Sequence, residues 1–388
     1  MTREIYLDYA ATTPVDPRVI EKMVQFLGPD GVFGNPSSIL HRQGLEANNA
    51  VEQSRQQVAK LINAEPDEII WTSGGTESDN LAIKGVALLN AHRGRHIITS
   101  EIEHKAVLDS CLYLETQGFH VTYIRPDAEG LITPEQVETA LRPDTILVSL
   151  MHVNNEIGTI TDIKSIAEIT KDRGVLFHAD ATQSAARLPL DMKIIPADFV
   201  SISAHKMYGP KGIGVLYARR NPRIRLQPQI HGGGHERGIR SGTLPTHQIV
   251  GMGEAARLVA HRRAEDSERT RIMSQGLLHR LMTIERAAVN GNRKHCIDAI
   301  VNVSIPFVES ESLLMLLPNI AISNGSACTS ASVEPSHVLT ALGVDAETAF
   351  SSLRFSIGRF TTEEEIHQSA KQVAEAVHEL RRLSPLNR

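Results

Sequence analysis

Residues 198–218 read DFVSISAHKMYGPKGIGVLYA. Two apolar, β-branched runs, DFVSIS and IGVLYA, flank a polar turn that carries Ala204, His205, Lys206 and a glycine–proline pair. The pattern predicts a buried strand, a loop and a second buried strand. A strand that delivers a lysine into a glycine-lined loop is placed to hold an amine beside a buried ligand. A lysine withdrawn from bulk water loses part of its proton affinity and becomes a nucleophile toward carbonyls, as in a Schiff base with pyridoxal phosphate. For a lysine taken singly solvent exposure is the commoner outcome, so the surrounding sequence has to decide.

Upstream, from residue 68, the runs EIIWT, HIITS, HVTYI, TILVSLM and VLFHAD alternate with helix-like segments at 79–93, 105–117, 134–141 and 163–173. Such alternation predicts an α/β fold, a mostly parallel sheet with helices on both faces. These sheets bind ligands at the carboxyl ends of their strands. Further helices are expected over 44–62 and 248–282. A second, smaller α+β unit follows, with strand-like runs AIVNVSI, AIS and FSIG and a helix over 362–383 opened by a Thr362/Glu365 capping box. The boundary between the two units falls near residue 260.

At 388 residues the chain is long enough for two domains, and 41% hydrophobic with 22% charged residues is the composition of an ordinary globular protein. A formal net charge of −5 argues against direct nucleic-acid binding through a broad basic surface. The three cysteines, Cys111, Cys296 and Cys328, are odd in number and irregularly spaced, which suggests neither a disulfide framework nor a metal site. The N-terminus has no apolar signal core and no stretch nears membrane-spanning length, so a cytoplasmic location and no membrane association are expected. His231 and His235 in HGGGHE lack HExxH spacing, which disfavours a metal hydrolase.

The polar residues just after the strand runs form a coherent set. Ser73-Gly74-Gly75-Thr76 follows a strand and opens a helix, a place where backbone N–H groups and the helix N-terminus favour one phosphate. It lacks the nucleotide patterns GxxxxGK[ST] and GxGxxG. Asp180 ends VLFHAD; it either caps the following turn or pairs with a pyridinium nitrogen, keeping an electron-accepting ring protonated. Gln183 is within reach of a ring hydroxyl. His104 is either an exposed helix-start histidine or an imidazole over the ring that moves protons. Ser203 and His205 flank Lys206 at a spacing that suits phosphate contacts. Arg354 lies in the apolar run SSLRFSIG; a buried arginine needs an anion, either a structural partner or a substrate carboxylate.

The stretches DYAATTP, FGNPSS, TSGGTESDN, EHKAV, NNEIG, HADATQ, SAHKMYGPKG, GGGHERGIRSGT, NGSACTS and RFSIGR together resemble the cysteine desulfurases of the NifS/IscS type, fold-type-I pyridoxal-phosphate enzymes. The resemblance runs nearly from end to end. It implies a homodimer, with a large cofactor domain over 15–260 and a small domain built from 1–14 with 261–388. It further implies that Lys206 is the Schiff-base lysine, that Asp180 partners the ring nitrogen and Gln183 the ring oxygen, and that His104 stacks on the ring. Gly75, Thr76, Ser203 and His205 would hold the phosphate, and Thr243 would reach the phosphate of the neighbouring subunit. Asn155 and Arg354 would face the carboxylate of the substrate, L-cysteine, and Cys328 would accept its sulfur as a persulfide, leaving L-alanine.

Cys328 sits in SNGSACTSASVEP, where the neighbours are small and polar and offer nothing to a core. The segment reads as a mobile loop that carries a thiol to the cofactor and away again. Cys111, in VLDSCLYL, fits a buried hydrophobe instead, and Cys296 fits either reading. Thiolate is the attacking form, so activity should follow the ionisation of Cys328. Arg219, Arg220, Arg223 and Arg225 in ARRNPRIR are either a solvated turn or a docking patch for an acidic sulfur acceptor. The chain departs from the family's housekeeping members in stopping at LSPLNR without an aromatic, acidic tail, which weakens the expectation of an iron–sulfur scaffold and points either to another acceptor, as in tRNA or DNA thio-modification, or to a truncated C-terminus. Asn324 stands where the family often has serine. The rival readings are a selenocysteine lyase, an aminotransferase that needs no loop cysteine, and a non-catalytic subunit that would lack Lys206, Asp180 or Cys328.

Overall fold

The computed structural model describes residues 4–220, 224–324 and 334–383. Strand β1 (Ile5–Tyr6) is followed by α1 (Pro17–Val24) and α2 (Arg42–Leu61). Asp16 caps α1 by accepting the Arg18 N–H, with Pro17 in the first turn where its missing N–H costs nothing. A seven-stranded sheet then forms from β2 (Ile69–Thr72), β3 (His96–Ser100), β4 (His120–Ile124), β5 (Thr145–Met151), β6 (Leu176–Asp180), β7 (Phe199–Ser203) and β8 (Gly214–Ala218). These are the seven runs read from the sequence. Their order is β2-β8-β7-β6-β5-β3-β4.

Only the two pairings made by β8 are antiparallel. The reason is local. β8 returns from β7 through the short lysine turn, whereas the parallel part of the sheet is built with crossover helices, except that β6 reaches β7 through turns over 181–198. Those helices are α3 (Gly75–Asn90), α4 (Lys105–Thr116), α5 (Pro134–Ala140) and α6 (Ile163–Asp172). Helix α3 begins one turn earlier than its apolar pattern indicates, because Gly74 adopts a φ of 155° and turns the chain into the helix without a side-chain cap.

Both faces of the sheet are covered. On β2, Ile70 packs with α3 residues Leu81, Ile83 and Val86 and with Val107 and Cys111 of α4. Ile69 and Trp71 point the other way, into a core shared with Val51 and Val58 of α2 and Ile166 of α6. Each such fully buried aliphatic or aromatic side chain contributes roughly 1.5–3 kcal/mol.

Helix α7 (Thr246–Leu281) serves two cores. Ile249, Met252, Ala255 and Val259 pack on the large sheet, while Met273, Leu277 and Leu281 enter a second core. That second core lies on a three-stranded antiparallel sheet of β9 (Ala288–Asn290), β10 (Ile300–Ser304) and β12 (Ser352–Ser356), in the order β12-β10-β9. Short strand β11 (Ile320–Ala321) pairs in parallel with β1, so Ile5 and Leu7 from the start of the chain join this core. The C-terminal helix Glu363–Leu383 closes it with Ile366 and Val373. Its capping box is present: the Thr362 N–H donates to Glu365 at 2.7 Å and the Glu365 N–H donates to Thr362 Oγ1 at 3.2 Å. Arg359 links the chain ends to α7, donating to Asp16 and to Asp266 at 2.8 Å each.

Candidate active site

The carboxyl ends of β5, β6 and β7 open into one cavity of about 320 Å³. Register explains why the polar residues meet there. Met151 pairs with Asp180 across β5–β6, and Asp180 pairs with Ser201 across β6–β7, so the strands end nearly level. Gly75, Thr76, His104, Asn155, Asp180, Gln183, Ser203, His205, Lys206 and Arg354 all line it. Thr243 does not; it is exposed on the loop before α7. Cys328 lies outside the described residues, and neither Cys111 nor Cys296 lines this cavity.

Lys206 sits on a single 3₁₀ turn, Ala204–Lys206, at the end of β7. Its Nζ donates to the carbonyl oxygens of Ala10 and, at 2.8 Å, Ala11. The segment around Ala10 and Ala11 thus folds across the site and fixes the amine. The turn is braced from behind: buried Tyr208 holds a φ of 64°, costly for a bulky residue, while its N–H donates to Thr13 Oγ1 at 2.8 Å and its hydroxyl accepts the Arg359 N–H at 2.7 Å.

Asp180 is buried, 6% exposed, and accepts the Thr182 N–H at 2.8 Å. It therefore does cap the following turn while facing the cavity. Gln183 donates to the Ala10 carbonyl at 2.8 Å and accepts from Arg187 at 3.2 Å. His104 is the N-cap of α4, its Nδ1 accepting the Ala106 N–H at 3.1 Å. Burial holds its imidazole below the ordinary value, so the ring is neutral near pH 7. Burial, reinforced by Lys206, pulls His205 down to about 4, and its Nδ1 lies 3.1 Å from Thr12 Oγ1.

A phosphate fits the cradle at the start of α3. No side chain caps this sixteen-residue helix, which leaves its leading amides to a ligand. Gly75 has room only for hydrogen: a Cβ there would stand 2.9 Å from Thr182 Oγ1, a buried hydroxyl with no partner among the described residues. The acid, the neutral imidazole and the amine complete the set that a pyridoxal-type ring requires.

Arg354, on β12, is buried and bridges the two sheets. Nη1 donates to the Asn155 carbonyl at 3.0 Å, Nη2 meets Asp8 at 2.8 Å, and Nε has no partner among the described residues. Arg354 thus has the structural partner, Asp8, on Nη2, while the neighbouring Nε is left over.

Four contributors escaped the sequence reading. The Ala10 and Ala11 carbonyls carry no side-chain signal. Asp8 stands in DYAATTP with nothing to mark its arginine. Asp79, 1% exposed, also lines the cavity. Its signal was present, since it shares the buried face of α3 with Ala82, Ile83 and Val86, where an acid is out of place.

The arginine stretch is partly committed elsewhere. Arg219 donates to the carbonyls of Ala197 and Ile195 at 2.9 Å and of Met192 at 3.2 Å. Arg220 pairs with Asp67, Arg225 is exposed, and Arg223 lies outside the described residues. Among the described residues no group of three or more His, Cys, Asp or Glu is arranged to hold a metal ion, and no helix is long and apolar enough to cross a membrane.

Comparison with known proteins adds to this geometry. The class-V aminotransferase family profile matches residues 5–368. The chain is 58% identical over 386 residues to the cysteine desulfurase IscS of Stutzerimonas stutzeri, covering 100% of this chain and 96% of that one. A solved NifS-like protein superposes with a TM-score of 0.90 at 36% identity, covering 97% of this chain and 100% of the other. A solved SspA in complex with cysteine superposes with a TM-score of 0.81 at 40% identity, covering 92% and 99%.

Proposed function

The chain belongs to the class-V aminotransferase family and is a pyridoxal-phosphate-dependent cysteine desulfurase, and from this premise we propose that Lys206, His104 and Cys328 perform its chemistry in the cavity above the sheet. What carries the assignment of roles is the convergence of Lys206, Asp180, His104, the Gly75–Thr76 cradle and Arg354 on that one cavity.

When bound, the cofactor supplies an electron-accepting ring that stabilises negative charge at the Cα of the substrate. Gly75, Thr76, Ser203 and His205 would hold its phosphate, and the Asp180 carboxylate would hold the proton on its ring nitrogen. Gln183 faces the ring oxygen. Lys206 would hold the cofactor and would take the Cα proton of L-cysteine; the Ala10 and Ala11 carbonyls aim its amine. Arg354 and Asn155 orient the substrate carboxylate. His104, neutral through burial, accepts the substrate thiol proton. The Cys328 thiolate then attacks the substrate sulfur. An S–S bond forms as the substrate C–S bond breaks, the electron pair stays with the carbon skeleton, and protonation there yields L-alanine. Cys328 is left as a persulfide.

The protein works as a homodimer in the cytoplasm, where Thr243 reaches the phosphate in the neighbouring subunit. A division near residue 260 separates the cofactor domain from the domain that presents Cys328. The persulfide sulfur passes to an acceptor for iron–sulfur cluster assembly or for tRNA or DNA thio-modification, docked beside Arg220, Arg223 and Arg225. Arg219 contributes less, its guanidinium being turned onto backbone carbonyls.

Two variants test the assignment separately. Cys328→Ser should keep the visible absorption of the bound cofactor and stop alanine formation from L-cysteine; undiminished turnover refutes the acceptor role. Lys206→Ala should lose the absorption of the parent enzyme at rest, and an unchanged spectrum would show that the lysine is wrongly chosen.

A further inference from the structure

Behind Asp180 a second polar layer runs across three strands. Ser149 on β5 is in register with His178 on β6, and Asp180, two residues along β6, is in register with Ser201 on β7. The His178 ring is fully buried between the two serines, with Nδ1 2.8 Å from Ser149 Oγ and Nε2 2.9 Å from Ser201 Oγ. Ser201 in turn hydrogen-bonds the Asp79 carboxyl. Asp79 Oδ1 has no hydrogen-bond partner among the described residues and stands 3.6 Å from His178 Nε2, beyond hydrogen-bond range. None of Ser149, His178, Ser201 or Asp79 has a part in the chemistry above.

We propose that Asp79 is a positioning residue that sits beside Asp180 as a neutral, proton-bearing acid, held by the chain Ser149–His178–Ser201, so that the cavity presents a single carboxylate charge to the ring nitrogen. The proposal rests on the reading of Asp180 as the partner of that nitrogen.

The groups that face Asp79 decide its state. They are Asp180, Glu103, His178 and the Ser201 hydroxyl. Two carboxylates in one dry pocket do not both ionise. Asp180 accepts a backbone N–H from Thr182 and opens onto the cavity that also holds Lys206. Asp79 has a hydroxyl for a partner and lies deeper. Burial, and next the charge of Asp180, pushes its carboxyl well above the ordinary range. Neither remaining neighbour changes this. Burial pushes Glu103 up to about 8, so it too carries its proton near neutrality. Burial pulls His178 down to about 4, so it supplies no positive charge.

An amide is the neutral mimic of a protonated carboxyl, so Asp79→Asn should keep what Asp79→Ala loses. We expect Asn to hold the dissociation constant for pyridoxal phosphate within about twofold of the parent. Ala, which leaves Ser201 without its acceptor, should weaken binding about tenfold, equivalent to ~1.4 kcal/mol. An Asn variant as weak as Ala, or an Ala variant as tight as the parent, overturns the proposal. Should Ala fail to fold, the infrared difference spectrum of cofactor-free parent minus Asp79→Asn at pH 7 decides alone: a protonated-carboxyl stretch in the parent is expected, and a carboxylate stretch in its place overturns the proposal. Because that spectrum needs no cofactor, its outcome is independent of the Asp180 reading, which fails instead if Asp180→Ala binds pyridoxal phosphate as the parent does.

Discussion

Arg354 Nη2 stands 2.8 Å from Asp8 Oδ1, so the arginine proposed to receive the substrate is already half-neutralised by the opening segment of the chain. Its Nε, beside the Nη2 that holds Asp8, has no partner among the described residues and is the donor left for a carboxylate. The fork is thus pre-oriented by Asp8 and by the Asn155 carbonyl. Lysine retains the charge but cannot serve both sides. Arg354→Lys should raise the KM for L-cysteine by roughly 30-fold, the loss of a charged hydrogen bond of about 2 kcal/mol, while pyridoxal-phosphate absorption stays that of the parent. Steady-state alanine assays check this; an unchanged KM removes Arg354 from the substrate site.

Two buried glutamates set a pH dependence of stability. Burial pushes Glu103 up to about 8 and Glu156 up to about 7. In the unfolded chain both ionise above about 4.3. Between those limits the folded state binds more protons than the unfolded state, so stability falls as pH rises from about 5 to 8. Glu156→Gln keeps an acceptor for the Ser336 hydroxyl but does not titrate. The thermal midpoint of this variant relative to the parent should therefore climb between pH 5 and about 7 and level off above that. A constant difference across that range contradicts the buried, proton-bearing state.

A third expectation concerns the loop that carries Thr243. Buried Glu236, at a φ of 48°, is gripped by Arg55 through two hydrogen bonds of 2.8 and 2.9 Å and accepts the Trp71 N–H at 2.8 Å. Removing one member leaves the other charged and unpaired. Arg55→Met should cost about 3 kcal/mol, and adding Glu236→Gln should recover part of that loss because the stranded charge goes with it. Denaturant unfolding of the three variants checks this; a single-variant loss below about 1 kcal/mol contradicts it.

The reading of the sheet came directly from local pattern. All seven of its strands are runs of β-branched residues ended by polar turns, and the helix bounds agree to within a few residues except at α3. There the start is set by the backbone of Gly74, not by apolar spacing. The site was legible wherever a side chain follows a strand, as for Asp180 and Lys206. It was not legible where the contribution is a backbone carbonyl, as at Ala10 and Ala11, or where two distant segments meet, as with Asp8 and Arg354. The arginine stretch shows a further limit. Charge in sequence does not say which guanidinium turns inward, and Arg219 does.

Docking by the remaining arginines has its own test. Arg220→Glu combined with Arg225→Glu should lower the rate of sulfur handover to an acidic acceptor about tenfold and weaken its salt dependence. Alanine release from L-cysteine under a small-thiol reductant should be unaffected, because neither residue lines the cavity. Equal loss in both assays, or in neither, removes the docking role.

The most direct measurement is the site of the transferred sulfur. The enzyme is mixed with one equivalent of L-cysteine without reductant, alkylated, digested and mapped by mass spectrometry, with alanine counted in parallel. One sulfur added to the peptide carrying Cys328, matched by one alanine, is the predicted result. Alanine formation with the sulfur on Cys296, or with no sulfur on the protein, would contradict the mechanism.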